Sequence, residues 1–600
     1  MFLKLLQIRN FRGIRQLDLS FKQGLNILIG ENNSGKSAVI DALRICLGYG
    51  SLNREISVRR SDFYIDRANP DQAVPRIEFH LSFYIERPEE AGVFYELLVQ
   101  KEDCLELQMH FKYFLEEKKG IEKIRWRVWG GENEGQQVTP EILGMFYYVY
   151  LAPLRDAERF LRPGRGNRLG ELYATLMRDA NGKIIDDSER ARMAGELKDL
   201  LNGDQDWKNL IRGGKEKIEE HLVHTMIPGK EQEIHIDFLP FEFRKIVDNL
   251  RIQFPVYMGA VIGEDSGKQR YLDVFQNGLG YNNLIYAATI LGDLKNRREV
   301  DPDSFMALLI EEPEAHLHPQ LQNIFFNYLS ELQSGFQVFV TSHSPTLTAK
   351  AKLDDTIVLY LQDQQIRALS LAQSNLTDDN KRYLSKFLDV TKSQLFFANG
   401  VVLVEGISEA LLLPVFSRMI GSTEQEYDLN KHGVEIVNVG GVAFEHFARL
   451  FNGEDDTTRL NIPCAIVTDN DRSAESGEIS LRAAKAKALE TGLVKVELAE
   501  RTFEYELFIA GEENREVLME TFRDMYPRAV ATIDEGDSIP EFARNFVDKV
   551  RDNKAKSELA HRLAVRLEGD PESRKTFVVP EYIARAIRWV VKQQTEEPYV

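Results

Sequence analysis

The sequence predicts an α/β protein with a helical insertion in its first half and a second α/β domain towards its C-terminus. Three observations carry this reading. A glycine-rich turn, Gly30 to Ser37, lies between an apolar strand-like run, Leu25 to Ile29, and a helix-like stretch bearing Ala38, Ile40, Ala42 and Leu43. Between Tyr148 and about Asp248 the apolar residues shift to three- and four-residue steps, the helical period. From Val401 onward short apolar runs recur, and two of them end in acid: Val401 to Val404 leads into Glu405, and Cys464 to Val467 into Thr468-Asp469-Asn470-Asp471. A chain of 600 residues also exceeds one hydrophobic core, so several domains are expected.

Composition narrows the class. Hydrophobic residues at 43% and charged residues at 28% fit an ordinary globular protein. No apolar run approaches the roughly 18–20 residues of a membrane span. The opening MFLKLLQIRNFRG places arginine and polar residues where an export signal needs its apolar stretch, so a cytoplasmic protein without a membrane partner is expected. Cys46, Cys104 and Cys464 are far apart and form no CxxC pair, which suits reduced residues. The net charge of −19 argues against a general nucleic-acid coat, yet leaves room for a local basic track or a metal-compensated acidic centre.

The chain opens with apolar Leu3, Leu5 and Ile8, then Asn10-Phe11-Arg12-Gly13. Gly30 to Ser37 matches the phosphate-loop pattern GxxxxGK[ST] between strand and helix. In that setting the backbone of Asn32, Asn33, Ser34 and Gly35 cradles phosphate oxygens at a helix N-terminus. Lys36 reaches the outer phosphates of ATP, and Ser37 holds magnesium. Phe305 to Ile310 reads as a buried strand ending in Glu311-Glu312, carboxylates placed for magnesium binding and water activation respectively. Val338 to Val340 is a further strand, ending in Thr341-Ser342-His343-Ser344, where His343 can sense the terminal phosphate. Gln276-Asn277-Gly278-Leu279-Gly280 precedes a helix from Asn282 to Leu291, and its glycine-rich start suits a phosphate presented by another subunit. His316 and His318 are two residues apart, do not share a helix face and have no third ligand, so a zinc site is not expected there.

The NFRG, GENNSGKS, QNGLG, LLIEEPEAHLHP and TSHSP segments resemble the RecF/SMC branch of the ABC-type ATPases. The resemblance implies that QNGLG is the signature motif, that Glu314 to His318 lies in a dimer-contacting loop, and that two chains close head-to-tail on two ATP molecules. The residues between phosphate loop and signature show no sustained heptads, so no long coiled coil is expected.

Within 155–248, helical stretches run from Leu169 to Met177, Ser188 to Leu201 and Trp207 to Thr225. Such helices either bury a small core of their own or gain stability by packing across a two-fold axis as a dimerisation element. The arginine cluster from Arg155 to Arg168 either steers DNA or nucleotide or is a solvated loop.

Further on, strands are expected over Thr356 to Leu361, Gln365 to Leu371 and Val434 to Val439. A helix starts at Thr377-Asp378-Asp379, with Leu384, Phe387, Leu388, Leu395 and Phe396 near helical spacing. Glu405 stands at a strand's C-terminal end, where ligands of open α/β sheets collect, and Glu409 sits early on the next helix. A strand-end glutamate followed by a later strand with DxD resembles the Toprim pattern. Glu405, Asp469 and Asp471 converging at sheet level make a hard oxygen site suited to Mg²⁺ or Mn²⁺. Arg501 to Leu507 supplies further carboxylates, among them Glu504, and Asn553 to Ala560 places basic residues at a helix start. A lysine beside a metal-bound phosphate stabilises charge in the transition state.

Nearly end to end, the chain resembles the overcoming-lysogenization-defect (OLD) family of ATPase–Toprim nucleases. The stretches that carry this are YLAPLRDAERFLRPGRGNRLG, GYNNLIYAATIL, SQLFFANGVVLVEGISEALLLP, TDND and RTFEYELF. The resemblance implies an ABC-type ATPase over 1–154 and 249–390, a dimerisation insert over 155–248 and a Toprim domain over 391–600. It implies metal ligands at Glu405, Glu409, Asp469 and Asp471, with Glu504 a further one. It makes Lys556 the catalytic lysine, although this chain has Lys556-Ser557 where the family has Lys-Gly. A two-metal DNA endonuclease or nickase is implied, acting as a homodimer or higher even oligomer in bacterial phage defence, with a possible partner protein or nucleic acid. The competing reading is an ATP-driven DNA clamp or loader whose Toprim domain is a scaffold. A topoisomerase needs a tyrosine nucleophile on a separate domain, and none is evident.

Overall fold

A computed structural model describes the chain apart from residues 51–54, 67–72, 87–90, 93, 102–104, 119–120, 154–156, 224–233, 237, 239–240, 256–270, 277, 316, 332–334, 422–425, 454, 471–478, 537 and 596–600. Two sheets build the first half. The mainly parallel one comprises β3 (Leu25–Ile29), β8 (Phe146–Leu151), β11 (Phe305–Glu311), β12 (Gln337–Ser342), β13 (Thr356–Gln362) and β14 (Gln365–Ser370), in the order β14-β13-β3-β12-β11-β8. Every residue of β3, β11 and β12 is buried, as expected for strands covered on both faces. One strand, β12, separates the phosphate-loop strand from the strand ending in Glu311. Only β14 is antiparallel, joined to β13 through Asp363 and Gln364, both at positive φ, as the twist of a two-residue hairpin requires.

The second sheet is antiparallel: β1 (Phe2–Phe11), β2 (Ile14–Ser20), β4 (Arg76–Tyr84), β5 (Leu98–Gln100), β6 (Leu105–Lys118) and β7 (Ile121–Gly130). Between the sheets runs the helix Lys36–Leu47. Its Val39, Ile40 and Leu43 share one core with Leu6, Phe79 and Phe111 of the antiparallel sheet and with Leu309 and Phe339 of the parallel one. A register shift between Leu3 and Leu5 in the β1–β4 pairing turns Leu3, Leu6 and Ile8 inward and leaves Leu5 half-buried, which corrects the expected Leu3, Leu5, Ile8 face.

Between β8 and β9 (Gln253–Pro255), which pairs with β10 (Tyr271–Asp273), lie the inserted helices. Arg168–Thr175 packs on the long helix Leu279–Val300, nine residues longer at its C-terminal end than expected. Asp187–Gly203 and Gln205–Val223 form a hairpin turned at Asp204, whose carboxylate accepts from the Trp207 N–H at 3.0 Å. Ala194 is the buried residue of the first hairpin helix, and Leu200, Trp207, Leu210 and Ile218 are exposed. These described side chains therefore form no core of their own.

The C-terminal half centres on a four-stranded parallel sheet, β16-β15-β17-β18, made of β15 (Gly400–Val404), β16 (Val434–Asn438), β17 (Cys464–Thr468) and β18 (Val494–Leu498). The expected helix after Asp378 runs only to Phe387. Leu388 turns extended, the Asp389 carboxylate accepts from the Lys392 N–H at 2.8 Å, and the chain restarts as a short tight turn, Lys392–Phe397. The apolar core continues across this segment, from Leu369 and Leu384 through Leu395 and Phe396 to Val401, Leu403 and Ile466. Tyr383 stacks on His446 at 4.0 Å, and the Asn380 amide lies 2.9 Å from the same ring. The two halves are thus packed together without an exposed linker at this point.

Candidate functional site: the phosphate loop and the acidic centre

The phosphate loop leaves β3 through backbone that few residue types accept. Gly30 has φ 149°, and a Cβ there would stand 2.0 Å from the Leu359 carbonyl oxygen. Asn33 and Gly35 are also left-handed, at φ 65° and 91°. The helix Lys36–Leu47 begins without a side-chain cap, so its first N–H groups face the loop. Lys36 is buried and donates to the carbonyls of Gly30 and Glu31 at 2.7 and 2.6 Å and to Ser34 Oγ at 3.4 Å. Burial pulls its pKa down, opposed by the charges of Glu312, Glu314 and Glu31. Asn32, Asn33 and Ser37 are exposed at the mouth.

Across β12, the acidic end of β11 faces this loop. Glu311 is buried. One of its oxygens accepts from the Tyr150 hydroxyl at 2.6 Å, and among the described residues the other has no hydrogen-bond partner. Glu312 has φ 47° and begins the turn beyond the strand. Glu314 accepts from Ser342 Oγ at 2.7 Å and the His343 N–H at 3.2 Å. His343 Nδ1 lies 3.4 Å from Glu314 and 3.8 Å from Glu312. Lys36, Glu311, Glu312 and His343 therefore meet at adjacent strand ends. Gly278 does not join them within this chain. It is exposed as the N-cap of Leu279–Val300 and has no hydrogen bond or ion pair to that group among the described residues. Asn277 and His316 lie outside the described residues.

Sequence reasoning missed the cleft beside the loop. It has a volume of about 690 Å³ and is lined by Arg12, Arg15, Asn33, Tyr64, Asp66 and Gln364. The signal lay in Asn10-Phe11-Arg12-Gly13, where Asn10 and Arg12 both take positive φ. The orphaned, buried oxygen of Glu311 and the exposed Ser37 hydroxyl suit magnesium bound with a nucleotide.

In the second half, Glu405 and Asp469 leave neighbouring parallel strands, with Val404 opposite Val467. Glu405 Oε1 accepts from the Thr468 hydroxyl and from the Asp469 N–H, the latter at 3.1 Å. Glu409 is buried in the first turn of the helix Ile407–Met419. Burial, and then Glu504 and Glu405, push its pKa up to about 7. Asp469 is pushed well above the carboxylate range by burial and by Glu405, Glu409 and Glu504, against one hydrogen bond from the Phe503 backbone. Glu504, buried in the first turn of Phe503–Ile509, accepts from Lys556 Nζ at 2.9 Å. Burial works against the Lys556 charge, but Glu504, Asp469 and Glu409 more than reverse this. Asp471 lies outside the described residues.

The structure thus brings Glu405, Glu409, Asp469, Glu504 and Lys556 into one field. Among the described residues no three His, Cys, Asp or Glu side chains converge closely enough to hold an ion as they stand. The donor set nevertheless fits a hard divalent cation. It is all oxygen, and the crowding that raises the Glu409 and Asp469 pKa values is what such a charge would relieve. Sequence reasoning also missed Tyr582. Its ring is buried near the same carboxylates, and among the described residues its hydroxyl has no hydrogen-bond partner.

Comparison with known proteins agrees with this geometry. Residues 396–471 match the family model of the overcoming lysogenization defect protein-like Toprim domain, residues 5–145 an AAA domain and residues 185–348 an AAA ATPase domain. The chain carries an OLD-like Toprim domain behind AAA-type ATPase segments. Its fold is that of a P-loop ATPase with a helical insert, followed by a Toprim α/β domain. It is similar to Endonuclease GajA of Bacillus cereus strain VD045, 24% identical over 492 residues covering 78% of this chain and 75% of that protein. It is also similar to the OLD nuclease of Thermus scotoductus, 23% identical over 493 residues covering 78% of this chain and 82% of that protein. Among solved structures, the C-terminal region of the Xanthomonas campestris pv. campestris OLD protein is 25% identical over 34% of this chain and 96% of its own, with a TM-score of 0.24.

Proposed function

We propose that the chain is a metal-dependent DNA endonuclease or nickase governed by an ATP-hydrolysing half. The observation that carries this reading is the cluster of buried Glu409 and Glu504 with half-buried Glu405, Asp469 and Lys556, placed on the same chain as a phosphate-loop site. The names of the similar proteins, an endonuclease and an OLD nuclease, support it.

Glu405, Glu409, Asp469 and Asp471 would hold divalent cations, with Glu504 a further ligand. Two magnesium or manganese ions, when bound, supply charge for a water nucleophile and for the leaving 3′ oxygen. Lys556, tethered by Glu504, brings a fixed positive charge to the phosphate. In the ATPase half, Lys36 binds the outer phosphates, Ser37 and Glu311 hold magnesium, and Glu312 with His343 orients the attacking water. The cleft lined by Arg12 and Tyr64 takes the rest of the nucleotide. Gly278, exposed at its helix start, faces the nucleotide of a second chain in a homodimer or higher even oligomer, and the exposed apolar face of the inserted hairpin supports that assembly. The setting is cytoplasmic anti-phage defence, with a partner protein or nucleic acid possible. No helix among the described residues is long and apolar enough to cross a membrane.

The test is supercoiled plasmid incubated with Mg²⁺ or Mn²⁺, with and without ATP. Nicked or linear product that requires the cation supports the reading. Intact plasmid under all conditions counts against it.

A further inference from the structure

The Walker-type carboxylate Glu311 is oriented from behind by a residue that belongs to no nucleotide motif. Tyr150 lies on β8, the edge strand next to β11, with Tyr150 opposite Leu309 in the register. Its hydroxyl gives Glu311 its only described hydrogen bond, at 2.6 Å, and leaves the buried second oxygen without a partner among the described residues. The ring is in turn fixed. The Arg44 guanidinium sits 3.6 Å from its centroid. Arg44 donates to one oxygen of Asp41 at 2.8 Å, and Arg12 donates to the other at 2.6 Å. Arg12 also donates to Asp62 at 2.9 Å and lines the cleft beside the phosphate loop. A continuous chain of contacts, Arg12–Asp41–Arg44–Tyr150–Glu311, therefore runs along the helix Lys36–Leu47, which carries Asp41 and Arg44. It joins the cleft to the carboxylate placed for magnesium.

We infer that Tyr150 is a positioning residue of the nucleotide site: it holds one oxygen of Glu311 so that the other is presented to the magnesium of a bound nucleotide. The chemistry supports a donor role at any physiological pH, because a phenol keeps its proton until about pH 10. A terminal carboxylate torsion is broad, so a carboxylate without that donor samples orientations that turn the free oxygen away. Partners that orient a metal ligand commonly carry a 10–100-fold share of metal affinity, roughly, when removed.

The inference rests on the ATPase reading of this site, so the test separates the two. Binding of a fluorescent ATP analogue is measured by anisotropy over a Mg²⁺ titration, on the parent chain, on Tyr150→Phe and on Tyr147→Phe, with a melting curve for each. Tyr147 is on the same strand, with its hydroxyl 3.5 Å from Asp293, on the signature-helix side. The expected result for Tyr150→Phe is parental binding without magnesium and a Mg²⁺ half-saturation raised about tenfold or more, with the melting temperature held. Tyr147→Phe should keep the parental titration. Parental Mg²⁺ dependence in Tyr150→Phe overturns the inference, and so does an equal loss with and without Mg²⁺, which would mark a purely structural role. A parent chain that binds no nucleotide removes the ATPase reading and the inference together.

Discussion

Lys556→Ala separates what the lysine does for the fold from what it does for chemistry. Its ammonium donates to Glu504 at 2.9 Å, and the two side chains differ sharply in burial: Lys556 is 44% exposed and Glu504 only 7%. Removing the lysine leaves a buried carboxylate without its cation. A hydrogen bond to a charged group is worth about 1.5–3 kcal/mol, and half-exposure of the lysine argues for the lower end, about 1–2 kcal/mol. In a domain of this size that lowers the melting temperature by roughly 2–8 °C. The sign of the pH dependence follows from the raised Lys556 pKa. The pair's contribution is fully present below the unfolded lysine value of about 10.4 and is lost only as pH rises through the folded value, so the Glu504 pair adds no pH dependence across pH 6–9, whereas ionisation of Glu409 around pH 7, beside Lys556, enlarges the deficit above that pH. Adding Glu504→Gln to Lys556→Ala removes the stranded charge and should recover most of the loss. Plasmid nicking by Lys556→Ala should fall on the order of a hundredfold, with a smaller change in metal half-saturation. A double variant no more stable than Lys556→Ala, or a single variant that nicks at the parental rate, would refute the reasoning.

Lys36→Ala should weaken ATP binding, and Glu312→Gln should slow hydrolysis while binding persists. Unchanged ATPase rates in both would discredit the assignment of this half. Replacing exposed Leu200 and Leu210 of the inserted hairpin by serine should shift light scattering from even oligomers towards monomer without lowering the melting temperature, because neither side chain is buried within the chain. Chelation of divalent cations should abolish cleavage reversibly, with recovery on adding Mg²⁺ or Mn²⁺. Activity that persists after dialysis against chelator would count against metal dependence.

Much of the fold was legible where physics left one reading. The runs forming β3, β11, β12, β15 and β17 are mainly apolar and buried throughout because both faces are covered, and each ends at a chemically loaded residue. The antiparallel sheet was not anticipated. Strands such as Arg76–Tyr84 and Leu105–Lys118 alternate apolar with charged and histidine residues, and nothing in one strand names its partner. Leu5 was misplaced because a bulge moves the inward face by one residue. At the sites, residues within motifs could be found, from Lys36 to Asp469. The Glu504–Lys556 pair was suggested by resemblance and joined only by folding, 52 positions apart. Tyr150 and Tyr582 belong to no spacing pattern. One acts from a neighbouring strand and the other sits on the helix Glu581–Thr595, so only the packed structure brings them to the carboxylates.

The most direct measurement is plasmid nicking by Asp469→Ala, with ATP hydrolysis and a melting curve on the same preparation. Asp469 is crowded by Glu405, Glu409 and Glu504, so removing its carboxylate should cost little stability and should relieve repulsion slightly. The account predicts cleavage lowered a hundredfold or more, on the order expected for lost metal positioning, with ATP hydrolysis and the melting temperature near parental values. A folded Asp469→Ala chain that still nicks plasmid at the parental rate would contradict it, and would leave the ATP-driven DNA clamp as the better description.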